Sequence, residues 1–272
     1  MAAAAARAGR RLDIVHTYHR WSQEFPTPEE TALARSGHIL FVNWQPTNQA
    51  GRAIPWEAIA DGSQDRIITA EARRLRALGD PVMVSFSHEP EADLGTEGSA
   101  AQFVAAYRRV HDLTRAAGAT NVVWVWDVEG IPTRHWLATY SSLWPGTQYV
   151  DWIGWDPYNF ASCRGLPWQS FAALVTPFYR WIEAQPFGHR PLMLAEYGTI
   201  GEGNGPRSKQ AWFSGVASSV ARFPALKALV YFDYPSPPAS CDWISSAPPA
   251  AAASFAALAH SSAFAATVRL HP

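Results

Sequence analysis

The sequence is short of several residues and patterns that most often announce a function. It has two cysteines, Cys163 and Cys241, so no Cys-x-x-Cys metal knuckle or redox pair can be built. Lysine occurs only at Lys209 and Lys227, and arginine supplies the rest of the 22 basic side chains that face 23 acidic ones. The net charge of −1 gives no basic field for a polyanion, which argues against nucleic acid as a partner. No apolar run approaches the roughly 18 residues that a membrane span needs, so no membrane partner is expected. A Gly-x-Gly-x-x-Gly or Walker pattern is also missing, which removes the usual phosphate-cradling turns. Met1 to Arg11 is alanine and arginine without an apolar h-region or cleavage pattern, so it does not read as a secretion signal. It is set apart as an Ala/Arg-rich tail, 1–11, ahead of one catalytic domain, 12–272.

What the sequence does have is tryptophan, 13 in 272 residues, together with 48% hydrophobic residues and a mean hydropathy of −0.13. That composition is globular, and a chain of this length can bury a core without help from metals. The tryptophans have two readings, a Trp-rich core or a cleft of flat apolar faces carrying N–H donors suited to sugar rings. Short apolar runs recur at Leu12–Tyr18, His38–Trp44, Pro81–Ser87, Asn121–Trp126, Tyr149–Asp156, Pro191–Tyr197 and Ala228–Tyr234. Each is too short for a helix and rich in β-branched and aromatic residues, which predicts strands buried on both faces. Between them lie helical segments with their own punctuation. Ser99 to Gln102 is a capping box and Gly118 a stop, Gly79 ends a helix through Ile67, Ile68, Leu75 and Leu78, and Pro206 opens one carrying Trp212, Phe213 and Val216. This is a repeating βα unit, and without a phosphate turn a (β/α)8 TIM barrel is favoured over an open doubly wound sheet. Only seven strands can be counted, where eight are required.

In a parallel barrel the chemistry gathers at the carboxyl ends of the strands. Two glutamates stand there, Glu89 after Pro-Val-Met-Val-Ser-Phe-Ser-His and Glu196 after Pro-Leu-Met-Leu-Ala. A carboxylate following so apolar a strand is costly unless it is paired or used. Singly each reads as well as a rim ion pair with arginine. Together they are the constellation of glycoside hydrolysis, one acid to protonate the leaving oxygen and one carboxylate to attack or to activate water.

Five segments carry a resemblance: His88-Glu89, Asn121-Val-Val-Trp-Val-Trp, Tyr149-Val-Asp-Trp-Ile-Gly-Trp-Asp-Pro-Tyr-Asn, Ala195-Glu-Tyr-Gly and Lys227-Ala-Leu-Val-Tyr-Phe-Asp. From Leu12 onward the chain resembles glycoside hydrolase family 26, the family of many β-mannanases. The resemblance implies a barrel with the acid/base on the fourth strand, the nucleophile on the seventh, and retention of configuration. It carries over Glu89 as acid/base, protonated near neutral pH, and Glu196 as the ionised nucleophile, with carboxyls about 5 to 5.5 Å apart. His88 shapes the sugar site, the Tyr158 hydroxyl approaches the nucleophile, and Trp44 lines the −1 subsite. Other substrate-binding candidates are Trp126, Asp156, His16 and Trp243. Asp156 either positions Tyr158 or His88 or binds sugar itself, whereas Trp124 and Trp152, being mid-strand, read as core. No cofactor and no metal are implied, and the partner is a polysaccharide or oligosaccharide met by a monomer.

The family's Met-Asn-Gly and aromatic cluster after His-Glu are replaced here by Pro90-Glu-Ala-Asp-Leu, with no aromatic before Phe103. That leaves the substrate open among mannan, β-xylan and mixed-linkage β-glucan. A metal-dependent hydrolase using His16, His19 and the His88-Glu89 pair is a rival, though no His-x-His or His-Glu-x-x-His occurs. A carbohydrate-binding barrel without turnover is another. A disulfide between Cys163 and Cys241, each seven residues past a strand-end residue on the same rim, is expected and would suit an extracellular enzyme. Because Glu89 ends the third recognisable strand rather than the fourth, the expectation is also that the first strand, and with it a secretion signal, is missing from this chain. The Ala/Arg stretch favours helix and cannot replace that strand.

Overall fold

The computed structural model describes residues 2–132, 136–236, 241–265 and 270. The chain packs as two compact units, one of residues 13–155 with 269–272 and one of residues 1–12 with 156–268.

In the first unit five parallel strands follow one another in sequence order: β1 (Ile14–Arg20), β2 (Ile39–Gln45), β3 (Val82–Phe86), β4 (Val122–Val128) and β5 (Trp152–Trp155). The register pairs His16 with Phe41, Tyr18 with Asn43, and Asn43 with Ser85, so these side chains share one face of the sheet. The other face takes the helices. Those are α2 (Pro28–Arg35), α3 (Trp56–Ala60), α4 (Asp65–Leu78), α5 (Ala100–Ala116) and α6 (Trp136–Ser142). Trp44, Phe86 and Trp124 point to the helix side, where Trp44 packs on Trp21 and Phe25, and Phe86 and Trp124 both meet Tyr107 of α5. The capping box read at Ser99 and Gln102 is formed, and the helix stops at Gly79 and Gly118 have φ of 77° and 80°. A second box, Thr27 with Glu30, opens α2.

The second unit holds α1 (Ala2–Ala8), the two-residue β6 (Tyr158–Asn159), α7 (Phe171–Glu183), β7 (Leu192–Thr199), α8 (Lys209–Ser219), β8 (Leu226–Tyr231), the short pair β9 (Pro235–Ser236) and β10 (Cys241–Asp242), and α9 (Pro249–Ala259). Strand β7 is buried along all eight residues and is flanked by β6 and β8, both parallel to it. Helix α8 starts at Lys209 with Ser208 as its cap, three residues later than Pro206 suggested, because Ser208 offers the side-chain acceptor that proline lacks. The Ala/Arg stretch is helical as its composition requires. Ala8 is buried, Arg7 pairs with Asp233, and Arg10 donates to the Ala259 and Phe264 carbonyls at 2.9 and 2.8 Å.

Eight mostly parallel strands alternating with helices place the chain in the (β/α)8 barrel class. The seven apolar runs are the seven longer strands. The eighth, β6, is two residues paired with the end of β7, while among the described residues β1 pairs with β2 and β8 with β7, which leaves the place of the expected first strand unfilled.

Candidate active site

In the first unit, the end of β3 runs through Ser87, His88 and Glu89. Ser87 and Glu89 hold φ of 50° and 52°, a left-handed conformation that non-glycine residues adopt only when their surroundings enforce it. The enforcement is visible. The Ser87 N–H donates to the Trp44 carbonyl at 3.0 Å, the Glu89 N–H donates to the Asp127 carbonyl at 3.1 Å, and the Trp56 indole N–H reaches the Ser87 hydroxyl at 3.2 Å. Glu89 and His88 are half-buried. Gln45 donates its amide to His88 Nδ1 at 2.6 Å, which leaves the far nitrogen of that ring as the N–H. Nothing about Gln45 marks it in the sequence beyond its place at the end of β2.

Two residues further on, the Glu91 carboxylate accepts the Glu129 N–H at 2.5 Å, stitching the loop after β3 to the loop after β4. Burial, with the Glu129 charge beside it, pushes the Glu91 carboxyl up to about 7 despite that bond.

In the second unit Glu196 stands on β7, 7% exposed. The Tyr158 hydroxyl donates to Glu196 Oε2, and Asp156 Oδ1 accepts the Glu196 backbone N–H at 2.7 Å. Tyr158 is held from behind by Trp243, with ring centroids 4.8 Å apart, and by Phe160 and Phe232 at 5.5 and 5.9 Å. The glycine of Ala195-Glu-Tyr-Gly is required by this packing. A Cβ on Gly198 would lie 2.9 Å from the Tyr158 ring and 3.0 Å from Trp243. The Cys163–Cys241 disulfide is formed, with Cα atoms 5.3 Å apart, and belongs to the same apolar cluster as Trp243.

The other candidates of the sequence lie as follows. Trp44, Trp126 and Trp243 are core residues, 1%, 0% and 2% exposed. The Trp44 indole stacks on Trp21 and donates to its carbonyl at 3.2 Å, and the Trp126 ring meets Trp144 edge-on. Asp156 is fully buried and braces the Glu196 main chain. Trp124 is core as expected, while Trp152 is half-buried. His16 is stacked on Phe41 at 4.2 Å, and its Nδ1 shares a hydrogen bond with the Tyr18 hydroxyl, 3.2 Å away. His19 lies on the opposite face of β1, 2.7 Å from Glu30 of α2. An i, i+3 pair on a strand points to opposite sides, so His16 and His19 form no chelate.

The fold is, first, of the (β/α)8 barrel class, with Glu89 following β3 in one unit and Glu196 beside the Tyr158 hydroxyl on β7 in the other. The particular likeness is to glycoside hydrolase family 26, which the chain resembles in sequence motifs and in fold. No protein-family model matches the chain. It is 30% identical over 228 residues to Endoglucanase H of Acetivibrio thermocellus, a match that covers 78% of this chain and spans only 24% of that protein's length. A solved family 26 beta-mannanase from Bacteroides ovatus superposes with a TM-score of 0.61 at 15% identity, covering 92% of this chain and 79% of that one. The Bacillus subtilis mannanase BCman superposes with a TM-score of 0.62 at 16% identity, covering 96% and 80%. At those identities the solved structures speak for the fold.

Proposed function

We propose that this chain is a retaining, endo-acting β-glycan hydrolase that works by double displacement. Glu196 attacks the anomeric carbon while Glu89, entering protonated, gives its proton to the departing glycosidic oxygen. Glu89, now a carboxylate, then takes a proton from the water that releases the glycosyl–Glu196 ester. The observation that carries this reading is the seating of Glu196, a nearly buried carboxylate with a tyrosine O–H on one oxygen and its main chain braced by Asp156. That donor stabilises the charge of a waiting nucleophile and orients one lone pair away from the tyrosine. His88, fixed by Gln45, sits beside the acid/base.

The family motifs point to β-1,4-mannan as the substrate. A second reading, a β-glucan, is favoured by the match to Endoglucanase H and by Pro90-Glu-Ala-Asp-Leu in place of the mannanase Met-Asn-Gly. Secretion as a monomer fits a polymer-degrading enzyme that carries a disulfide.

The test is hydrolysis of mannan, galactomannan, xylan and mixed-linkage glucan, read by new reducing ends and by the anomeric configuration of the first product. Glu196→Ala is expected to abolish turnover and to regain it with azide as a glycosyl azide of inverted configuration. Inversion by the unaltered chain, or full activity in either glutamate-to-alanine variant, overturns the mechanism. Oligosaccharide binding without turnover would make the chain a binding barrel.

A further inference from the structure

Tyr18 is one of only four large hydrophobic side chains that are exposed among the described residues, at 43%. It is an aromatic ring held still at the surface. Its hydroxyl shares a hydrogen bond with His16 Nδ1 at 3.2 Å, its ring leans on the His16 ring with centroids 4.4 Å apart, and His16 in turn stacks on Phe41. On its other side the His88 ring centroid lies 5.8 Å away, and His88 is the residue before Glu89. Strand alternation turns Tyr18 away from α2, because Val15 and His19 occupy that side and His19 bonds Glu30 there.

The same face carries buried polar groups with no hydrogen-bond partner among the described residues. Asn43, paired in register with Tyr18, is fully buried, yet its amide oxygen and nitrogen find no hydrogen-bond partner among the described residues. Ser85, paired with Asn43, is in the same state, and so is the Gln45 side-chain oxygen. Buried amides and hydroxyls are satisfied in folded proteins by ordered water or by a ligand. A preorganised aromatic face beside a row of such groups matches a pyranose, which has apolar C–H faces and a hydroxyl rim.

We infer that Tyr18 is the stacking platform of a sugar subsite next to His88, taking one pyranose ring of the β-glycan, with Asn43, Ser85 and Gln45 meeting its hydroxyls through bound water. This rests on the glycan-hydrolase reading and deepens it. It also supplies an aromatic contact on a strand where the loop after Glu89 has none before Phe103.

Tyr18→Ala and Tyr18→Phe test it on hexasaccharides of the hydrolysed glycan. Tyr18→Ala is expected to raise KM about tenfold while kcat stays within about twofold, and Tyr18→Phe, which keeps the ring, is expected to restore most of the affinity. A purely structural tyrosine would lower stability and leave this KM-against-kcat split unmoved. Unchanged KM in Tyr18→Ala overturns the platform. Should the unaltered chain hydrolyse nothing, the catalytic reading fails by itself, and the platform is decided by calorimetric titration of the same variants with manno- and cello-hexaose. Loss of binding in Tyr18→Ala alone supports it, and equal binding, or no binding by the unaltered chain, overturns it.

Discussion

The Tyr158 hydroxyl and Glu196 form the most informative single contact in the protein, since it joins the two-residue β6 to β7, the strand it pairs with. Tyr158→Phe removes the donor and keeps the ring that packs on Trp243, Phe160 and Phe232. A hydrogen bond to a charged group contributes about 1.5 to 3 kcal/mol, so kcat is expected to fall roughly ten- to hundredfold and the melting temperature by several degrees. Steady-state kinetics and a melting curve together check this, and an unaltered kcat refutes it. Gly198→Ala makes the complementary case, because its Cβ would push on both Tyr158 and Trp243 and so should lower activity without touching either carboxylate. At this scale the roles of charged residues were legible in the sequence and those of the indoles were not. A carboxylate at the end of an apolar strand is expensive, so its presence signals use or pairing. A tryptophan is equally at home in a core and in a cleft. Burial alone decides between them, and it sends Trp44, Trp126 and Trp243 to the core.

The elements themselves were legible wherever one kind of local signal dominated. The seven apolar runs became the seven longer strands, and the Ser99 capping box with its Gly118 stop bounded α5 because both signals are carried by side chains within a few residues. Strand β6 was not separable from β5, since its two residues become a strand only through pairing with Gly198 and Thr199 of β7. The disulfide links two such weak elements. Cys163 follows β6 and Cys241 begins β10, and between them they fasten the segment carrying Trp243, which supports Tyr158. A crosslink closing a loop of 78 residues typically contributes about 2 to 4 kcal/mol, so Cys163→Ser is expected to lower the melting temperature by several degrees. If the bond also holds the platform under Tyr158, mild reduction should lower kcat at temperatures well below melting. Retained kcat with a lowered melting point would confine the disulfide to stability.

For the molecule as a whole, buried carboxyls on the helix side and in the loop after Glu89 set opposing limits on the pH range of the fold. Glu97 is 7% exposed, and burial reinforced by the Asp93 charge pushes its carboxyl up to about 8, while Glu91 is pushed up to about 7. Both favour the proton in the folded state. Between the ordinary carboxyl value of 4.5 and those raised values the unfolded chain binds fewer protons than the folded one, so stability falls as pH rises through 7 and 8. Glu30 acts in the other direction. Burial would raise it, but the bonds from His19 and Thr17 and from the Thr27 N–H outweigh burial and hold it at about 2. Its contribution is present above 4.5 and is lost as pH drops toward 2. The melting temperature should therefore peak in mildly acid solution and decline on both sides. Glu97→Gln, which keeps the shape without the ionisation, is expected to leave the melting temperature at pH 5 nearly unchanged and to raise it at pH 8.5, flattening the alkaline side of the curve. Calorimetry across that range decides the matter, and a melting temperature that climbs from pH 5 to 8.5 in the unaltered chain would show that Glu91 and Glu97 are not protonated in the fold.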